Sequence, residues 1–299
     1  MKNKPENTVL QSLKATDKAE LLNFLIDKQV RKSRNAIKSL LAHKQLKING
    51  KVVSQYNFEL NAGDVVTIHK KNHAYDGKKL KGLIVIYEDE HLIVVDKEPG
   101  LLSIATDREK RETAYSIISE YLKKKDKESR VFVLHRLDRE TSGLMMYAKA
   151  ADIQEIMQRN WDNLIKVRSY VAVVEGVLSP TDGTIESWLT EDKNFVMHSS
   201  PRDNGGQKSI THYNTIKTTR KFSMLSLNLE TGRKNQIRVH MKHIGHPIVG
   251  DKKYGSKIGT IKRVALHAHK LYFTHPTTAE LLEFESPIPS KMQLLVNAE

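Results

Sequence analysis

The chain has 299 residues, 39 % apolar and 28 % charged, a balance that fits a globular protein of about two domains and excludes a fibrous or wholly disordered one. Its 49 Lys and Arg against 35 Asp and Glu leave a net charge of +14, which favours a polyanionic partner, nucleic acid foremost. There is no cysteine, so disulfide scaffolds, thiolate metal sites and cysteine nucleophiles are excluded, and a reducing cytoplasm is the expected compartment.

Met1-Lys2-Asn3-Lys4-Pro5 carries charge with no apolar stretch behind it and does not read as a signal peptide. The longest apolar run, Leu83 to Tyr87, is far short of the ~20 residues of a spanning helix, so no membrane segment is expected. Residues 1–16 are polar and unpatterned, a flexible end. Asp17 with Glu20 reads as a capping box ahead of Leu21, Leu22, Phe24, Leu25 and Ile26, and a second helix is expected from Ser33 through Ile37, Leu40 and Leu41. Asn49-Gly50 between short apolar runs marks a hairpin, and Gly63-Asp64 turns into the strand Val65 to Ile68. These elements define a small domain over residues 17–69, followed by a basic linker over 70–82.

From residue 83 to the end the pattern is rich in strands. Leu83–Tyr87, Leu92–Val95, Val131–Leu134, Leu144–Ala148, Val167–Val174, Ile210–Ile216, Phe222–Leu229, Val264–Phe273 and Leu281–Phe284 all read as strands. Helices are expected over 112–125, from its stripe of Ala114, Ile117, Ile118, Tyr121 and Leu122, and over 235–244. Without strict βαβ alternation this describes an α+β domain around a mixed sheet.

Two stretches carry chemistry. Residues 28–51 hold eight cations (Lys28, Arg31, Lys32, Arg34, Lys38, Lys44, Lys47 and Lys51) and no acid, a face suited to phosphates or simply a solvated one. Leu134 to Met146 places Asp138 between Arg136 and Arg139, then runs through Thr141-Ser142-Gly143 into an apolar strand. Such an acid is either part of a salt-bridged turn or an anion suited to nucleophilic or electrostatic work.

Residues 17–68 resemble the S4-type RNA-binding domain, through Arg31-Lys32-Ser33-Arg34, Lys47-Ile48-Asn49-Gly50-Lys51-Val52 and Gly63-Asp64-Val65-Val66. Residues 83–286 resemble pseudouridine synthases of the RluA type. His135-Arg136-Leu137-Asp138 with Thr141-Ser142-Gly143-Leu144 is similar to the family's catalytic motif. Three further stretches agree in order: Tyr87 to Lys97 with Pro99-Gly100-Leu101; Thr231-Gly232-Arg233 with Gln236 to His240 and Gly245 to Asp251; and Ala265 to Ala268 with Phe273 to Pro276. Lys234-Asn235 and Asp96-Lys97-Glu98 depart from the family pattern, which bears on substrate preference more than on the acid.

The resemblance implies a mixed, largely antiparallel sheet with flanking helices, preceded by the small αL RNA-binding domain. It implies an isomerase that turns uridine into pseudouridine in structured RNA, with large-subunit ribosomal RNA the first candidate, transfer RNA the second, and no cofactor. By the same resemblance Asp138 is the catalytic carboxylate, Arg238 its cationic partner and Tyr170 an aromatic that stacks on the flipped base. Arg136 would fill the vacated stack, with His135, Arg139, Arg31, Arg34, Lys38 and Lys47 also on the RNA. A monomer is expected. The histidines His240, His243, His246, His267 and His269 lack a completing ligand set, and no metal is expected. The rivals are a non-catalytic RNA binder and a glycosylase, for which Glu140 is the nearest second carboxylate.

Overall fold

The structure is a computed structural model that describes residues 9–31, 34–42, 45–53, 55–69, 77–106, 109 and 111–297. It divides into two units, one built on Met1–Ala74 and the other on Tyr75–Pro276 with Leu281–Glu299.

In the first unit, strand β1 (Val9–Lys14) precedes the short β2 (Ala19–Glu20), helices α1 (Leu21–Asp27) and α2 (Arg34–Ala42), and strands β3 (Leu46–Ile48), β4 (Lys51–Val52), β5 (Glu59–Leu60) and β6 (Val65–His69). Leu21, Leu22, Leu25, Ile37, Leu40, Leu46, Leu60, Val66 and Ile68 form its core. Asn49 and Gly50 both have positive φ, 49° and 80°, as the tight turn between β3 and β4 requires. Asn49 then ties the hairpin to β6 by accepting from the Val65 N–H at 2.9 Å.

Two expectations fail here. Residues 9–14 are not frayed: β1 pairs antiparallel with β6, opposing Leu13 to Val66. Its residues are almost all exposed, so no apolar alternation betrays the strand. The capping box does not form either. Glu20 is the N-cap but makes no side-chain cap bond, Asp17 accepts from Thr16, and α1 begins at Leu21. The first N–H groups of α1 are satisfied instead by the carbonyls of Phe58 and Tyr56, at 2.8 and 3.1 Å.

The second unit contains β7 (Lys78–Leu80), β8 (Leu83–Glu88), β9 (Leu92–Lys97), α3 (Ala114–Lys123), β10 (Phe132–Val133), β11 (Ser142–Ala148), α4 (Ala151–Arg159) and α5 (Trp161–Leu164). It continues with β12 (Ile165–Glu175), β13 (Asp182–Glu191), β14 (Met197–Ser200), β15 (Gln207–Thr218), β16 (Phe222–Leu229), α6 (Gln236–His243), β17 (Leu266–Thr274), β18 (Leu281–Glu285) and α7 (Ser290–Asn297). The strands form one mixed sheet in the order β14-β13-β15-β16-β12-β17-β11-β9-β8-β7, with β10 beside β11 and β18 beside β17. Among the described strands the β11–β17 pair is parallel and the rest antiparallel, as expected for the α+β class.

Strands β9 and β11 are buried along their whole length, and within them Leu92–Val95 and Leu144–Ala148 read as unbroken apolar runs. At the start of β11, Gly143 has φ +112° and a Cβ there would lie 2.2 Å from the Ala268 carbonyl oxygen. Only glycine lets β11 approach β17 at this seam. Helix α3 starts on a reciprocal cap between Thr113 and Ser116. Lys78–Leu80, read from the sequence as linker, is the edge strand β7 opposite β8, while residues 70–76 lie outside the described residues.

Candidate active site

The chain between β10 and β11 carries Asp138, and its backbone is pinned from below. Ser103 donates to the Leu137 carbonyl at 2.6 Å and accepts from the Leu137 N–H at 3.1 Å. Lys97, fully buried at the end of β9, donates to the carbonyls of Glu98, Leu101 and Arg139 at 3.0, 2.8 and 3.1 Å. Burial, then the charge of Arg263, pulls the Lys97 ammonium down to about 7. Leu137, between His135 and Asp138, is buried and locks the segment into the core.

Asp138 lines a cleft of about 500 Å³ with Arg136, Tyr170, Arg168, Trp161, Arg233 and Arg238. Arg238 projects from α6 and donates Nη1 to Asp138 Oδ2 at 3.3 Å. The rest of its guanidinium is committed elsewhere: Nε and Nη2 donate to the two oxygens of Asp251 at 2.6 and 2.8 Å, and Nη1 also reaches Asn235 Oδ1 at 3.3 Å. The Tyr254 ring lies 5.0 Å from the guanidinium, and the Tyr254 hydroxyl accepts from Asn235 Nδ2 at 2.9 Å. Burial works against the charge on Arg238, but the hydrogen bonds and charge of Asp251 outweigh it and hold the group above its ordinary value.

Tyr170 stands on β12 opposite Leu227 and Ala268 and faces the same cleft; burial raises its phenol above the ordinary value, so the ring is neutral. The three residues expected to act together, Asp138, Arg238 and Tyr170, are therefore brought together, with Arg136 exposed at the cleft wall.

Two other expected RNA contacts are placed differently. His135 accepts from the Met146 N–H through Nε2 at 3.1 Å, and burial, with the charge of Arg168 second, pushes its pKa down to about 3. It serves as a neutral anchor between the segment that carries Asp138 and β11. Arg139 turns away from the cleft and pairs with Glu109 at 2.7 Å. In the first unit Arg34 and Lys38 are exposed one turn apart on α2, beside the buried stripe of Ile37, Leu40 and Leu41. Arg31 donates to the Val30 carbonyl, Lys47 is half-buried on β3, and Lys32, Ser33 and Lys44 lie outside the described residues.

One departure from the family pattern, Asn235, enters the site, and another, Asp96, lies outside the cleft. Asn235 adopts φ +53° as the N-cap of α6 and holds both Arg238 and Tyr254. Asp96 is buried and accepts from the Ser286 hydroxyl at 2.7 Å; burial pushes it up to about 6. The sequence singles out neither Asp251 nor Tyr254 as a partner of Arg238. The available signal is the arginine itself, since a guanidinium on a helix that must pack inward needs a buried counterion. Arg168 and Trp161 also escape the sequence reading.

The histidines are dispersed. His240 bonds Ser187 and Thr211, both at 2.9 Å, His246 bonds the Glu175 carbonyl oxygen, and His267 bonds Ser142. Among the described residues no group of three or more His, Asp or Glu is arranged to hold a metal. No helix among them is long and apolar enough to cross a membrane.

A carboxylate set against a clamped arginine, in a cleft walled by further arginines and aromatic rings, suits an enzyme that acts on nucleic acid. Residues 91–243 match the family described as RNA pseudouridylate synthase, and residues 21–66 match the S4 domain. The chain belongs to the RNA pseudouridine synthases, of the RluA type with an N-terminal S4 domain, and is an isomerase acting on RNA. It is 32 % identical over 257 residues to an uncharacterised RNA pseudouridine synthase of Bacillus subtilis, covering 85 % of this chain and 90 % of that one. It is 30 % identical over 279 residues to the ribosomal large subunit pseudouridine synthase D of Vibrio cholerae, covering 87 % and 85 %. The solved structure of human RNA pseudouridylate synthase domain containing 4 aligns with a TM-score of 0.59 at 23 % identity, over 71 % of this chain and 92 % of that one, a likeness of fold.

Proposed function

We propose that this chain isomerises uridine in large-subunit ribosomal RNA, with Asp138 as the catalytic carboxylate. The observation that carries the reading is the Asp138–Arg238 contact of 3.3 Å inside the cleft. The reaction breaks the N1–C1′ bond, turns the uracil, joins C5 to C1′, removes the C5 proton and returns a proton to the freed N1. Atoms and electrons balance without an oxidant, a phosphate donor or a cofactor. Asp138 supplies an anion beside C1′, and Arg238, already balanced by Asp251, orients that anion without quenching it.

A structured RNA must extrude its uridine to reach such a cleft. Tyr170 would stack on the flipped uracil, a contact worth ~1–3 kcal/mol, and the exposed Arg136 would occupy the vacated stack. The ribosomal target is supported by the large-subunit synthases among the relatives and by the cationic α2 of the S4 domain.

Asp138→Asn tests the assignment, because it preserves size and removes the charge. Turnover should be lost while the melting temperature and RNA affinity stay near wild type. Activity within tenfold of wild type, a barrier change of only ~1.4 kcal/mol, would assign the chemistry to another group. Mapping pseudouridines in ribosomal RNA from cells with and without the gene tests the target.

A further inference from the structure

The cleft contains a second arginine whose surroundings differ from those of Arg238. Arg168 stands on β12, two residues before Tyr170, and its guanidinium lies 5.5 Å from the centre of the Trp161 ring. Among the described residues it makes no ion pair and no side-chain hydrogen bond, whereas Arg238 has a buried carboxylate bound through two nitrogens. Of the three carboxylates that share the cleft, two are engaged by other partners. Asp138 faces Arg238, Glu230 bonds His212 at 2.6 Å, and Asp162 is exposed without an ion pair among the described residues. The ionisable neighbours His135 and Tyr170 are both neutral and cannot balance Arg168.

A glycine packs against the guanidinium. A Cβ on Gly232 would lie 2.9 Å from Arg168 Nη1, inside contact distance, so any larger residue there would displace the group. Trp161 and the side-chain-free Gly232 flank the guanidinium, and all three residues line the cleft. A charged fork of donors with no ion pair among the described residues matches one class of ligand, a tetrahedral oxyanion.

The geometry points to an anion site formed by Arg168, Trp161 and Gly232 that grips a backbone phosphate of the RNA beside the nucleotide held in the cleft. This rests on the reading that the cleft receives a nucleotide of RNA. In that arrangement Asp138 and Tyr170 address the sugar and base, and Arg168 sets their register by holding the phosphate.

The test uses the full-length chain and single-stranded decauridylate, with affinity measured over a series of salt concentrations. Arg168→Met should lower the log–log salt slope by ~0.7, the share of one phosphate contact on a single strand, and Arg168→Lys should restore it. Lys291→Met, which removes an exposed charge on α7 outside the cleft, is the control and should leave the slope unchanged. Arg168→Gln replaces the Met variant if that one fails to fold. An unchanged slope in the neutral variant, a fall matched by the Lys291 control, or a slope that Lys does not restore overturns the site. Pseudouridine formation by the wild-type chain on total cellular RNA is scored separately. A lost slope without product would sink the functional reading and keep the anion site; product with an unchanged slope would do the reverse.

Discussion

Asp251 clamps Arg238 through two hydrogen bonds, 2.6 Å at Nε and 2.8 Å at Nη2, with the two residues only 1 % and 9 % exposed. This buried pair fixes the plane of the guanidinium and leaves Nη1 as the atom that meets Asp138. It also places the charge balance of the cleft on a residue that is not itself beside the substrate.

Asp251→Asn should therefore act on both stability and turnover. Removing one partner of a buried pair leaves an uncompensated charge, at a cost of about 3–5 kcal/mol. With Asp251 neutral, Arg238 is balanced by Asp138 alone, which ties up the reacting anion. Urea unfolding should show most of that loss, and single-turnover rates should fall more than tenfold with RNA affinity retained. Unchanged stability would show that the pair does not support the cleft.

How much of this was legible in the sequence depends on burial. The alternating β8 and the unbroken apolar runs of β9 and β11 announce themselves because their packing leaves a simple pattern. Strand β13 does not, since its inward residues include Ser187, a polar group bound to His240. Helices α4 and α7 escape because each rests on two buried anchors, Ile153 with Met157 and Met292 with Val296. In the site, Asp138, Arg238 and Tyr170 were reached by resemblance, but the Asp251 clamp joins residues 13 apart across the rest of α6 and the turn after it, which no local spacing reveals.

Three buried histidines make the catalytic unit sensitive to acid. Burial pushes His135 and His267 down to about 3 and His240 to about 4, against an ordinary value of 6.5. Each is neutral when folded and binds a proton more readily when unfolded, so the stability it contributes is present above pH 6.5 and is lost as pH falls toward its folded value. The loss is at most ~1.4 kcal/mol per pH unit for each histidine. His240→Gln, which can still bond Ser187 and Thr211, should reduce the slope of stability against pH between 6.5 and 4.5. An equal slope in wild type and variant would exclude His240 as a contributor.

Asp96 works in the opposite sense. Its folded value, raised by burial to about 6 from 3.8, means the native state holds the proton more tightly than the unfolded chain. Stability from this group therefore falls as pH rises from 3.8 to 6 and stays lowered above that. Asp96→Asn mimics the neutral form and can still accept from Ser286. It should match wild type near pH 4 and exceed it at pH 8 by up to about 3 kcal/mol, since each tenfold difference in proton affinity between the folded and unfolded chain is worth about 1.4 kcal/mol. Denaturant midpoints at the two pH values measure this, and a variant less stable than wild type at pH 8 would contradict it.

The S4 domain should supply most of the salt-dependent part of RNA affinity. Arg34, Lys38 and Lys51 are exposed and Lys47 is half-buried, while the core of the module rests on Leu22, Leu25, Ile37 and Leu40, which these substitutions do not touch. Replacing Arg34, Lys38, Lys47 and Lys51 together by Gln should leave the module folded. Each cation that meets a phosphate releases a counterion on binding, so each lost contact should lower the log–log salt slope by ~0.7–0.9, and four contacts by about 3. Asp138, Arg238 and Tyr170 all lie in the other unit, so the rate at saturating RNA should be kept and the loss should fall on KM. Phosphate contacts set register more than they read bases, so discrimination among long folded RNAs should suffer more than turnover of a short unstructured one. Affinity for ribosomal RNA fragments at several salt concentrations, with full kinetics on a short RNA, separates the two effects. A slope equal to that of wild type would mean that these cations only face water, and that the affinity for RNA resides in the cleft-bearing unit.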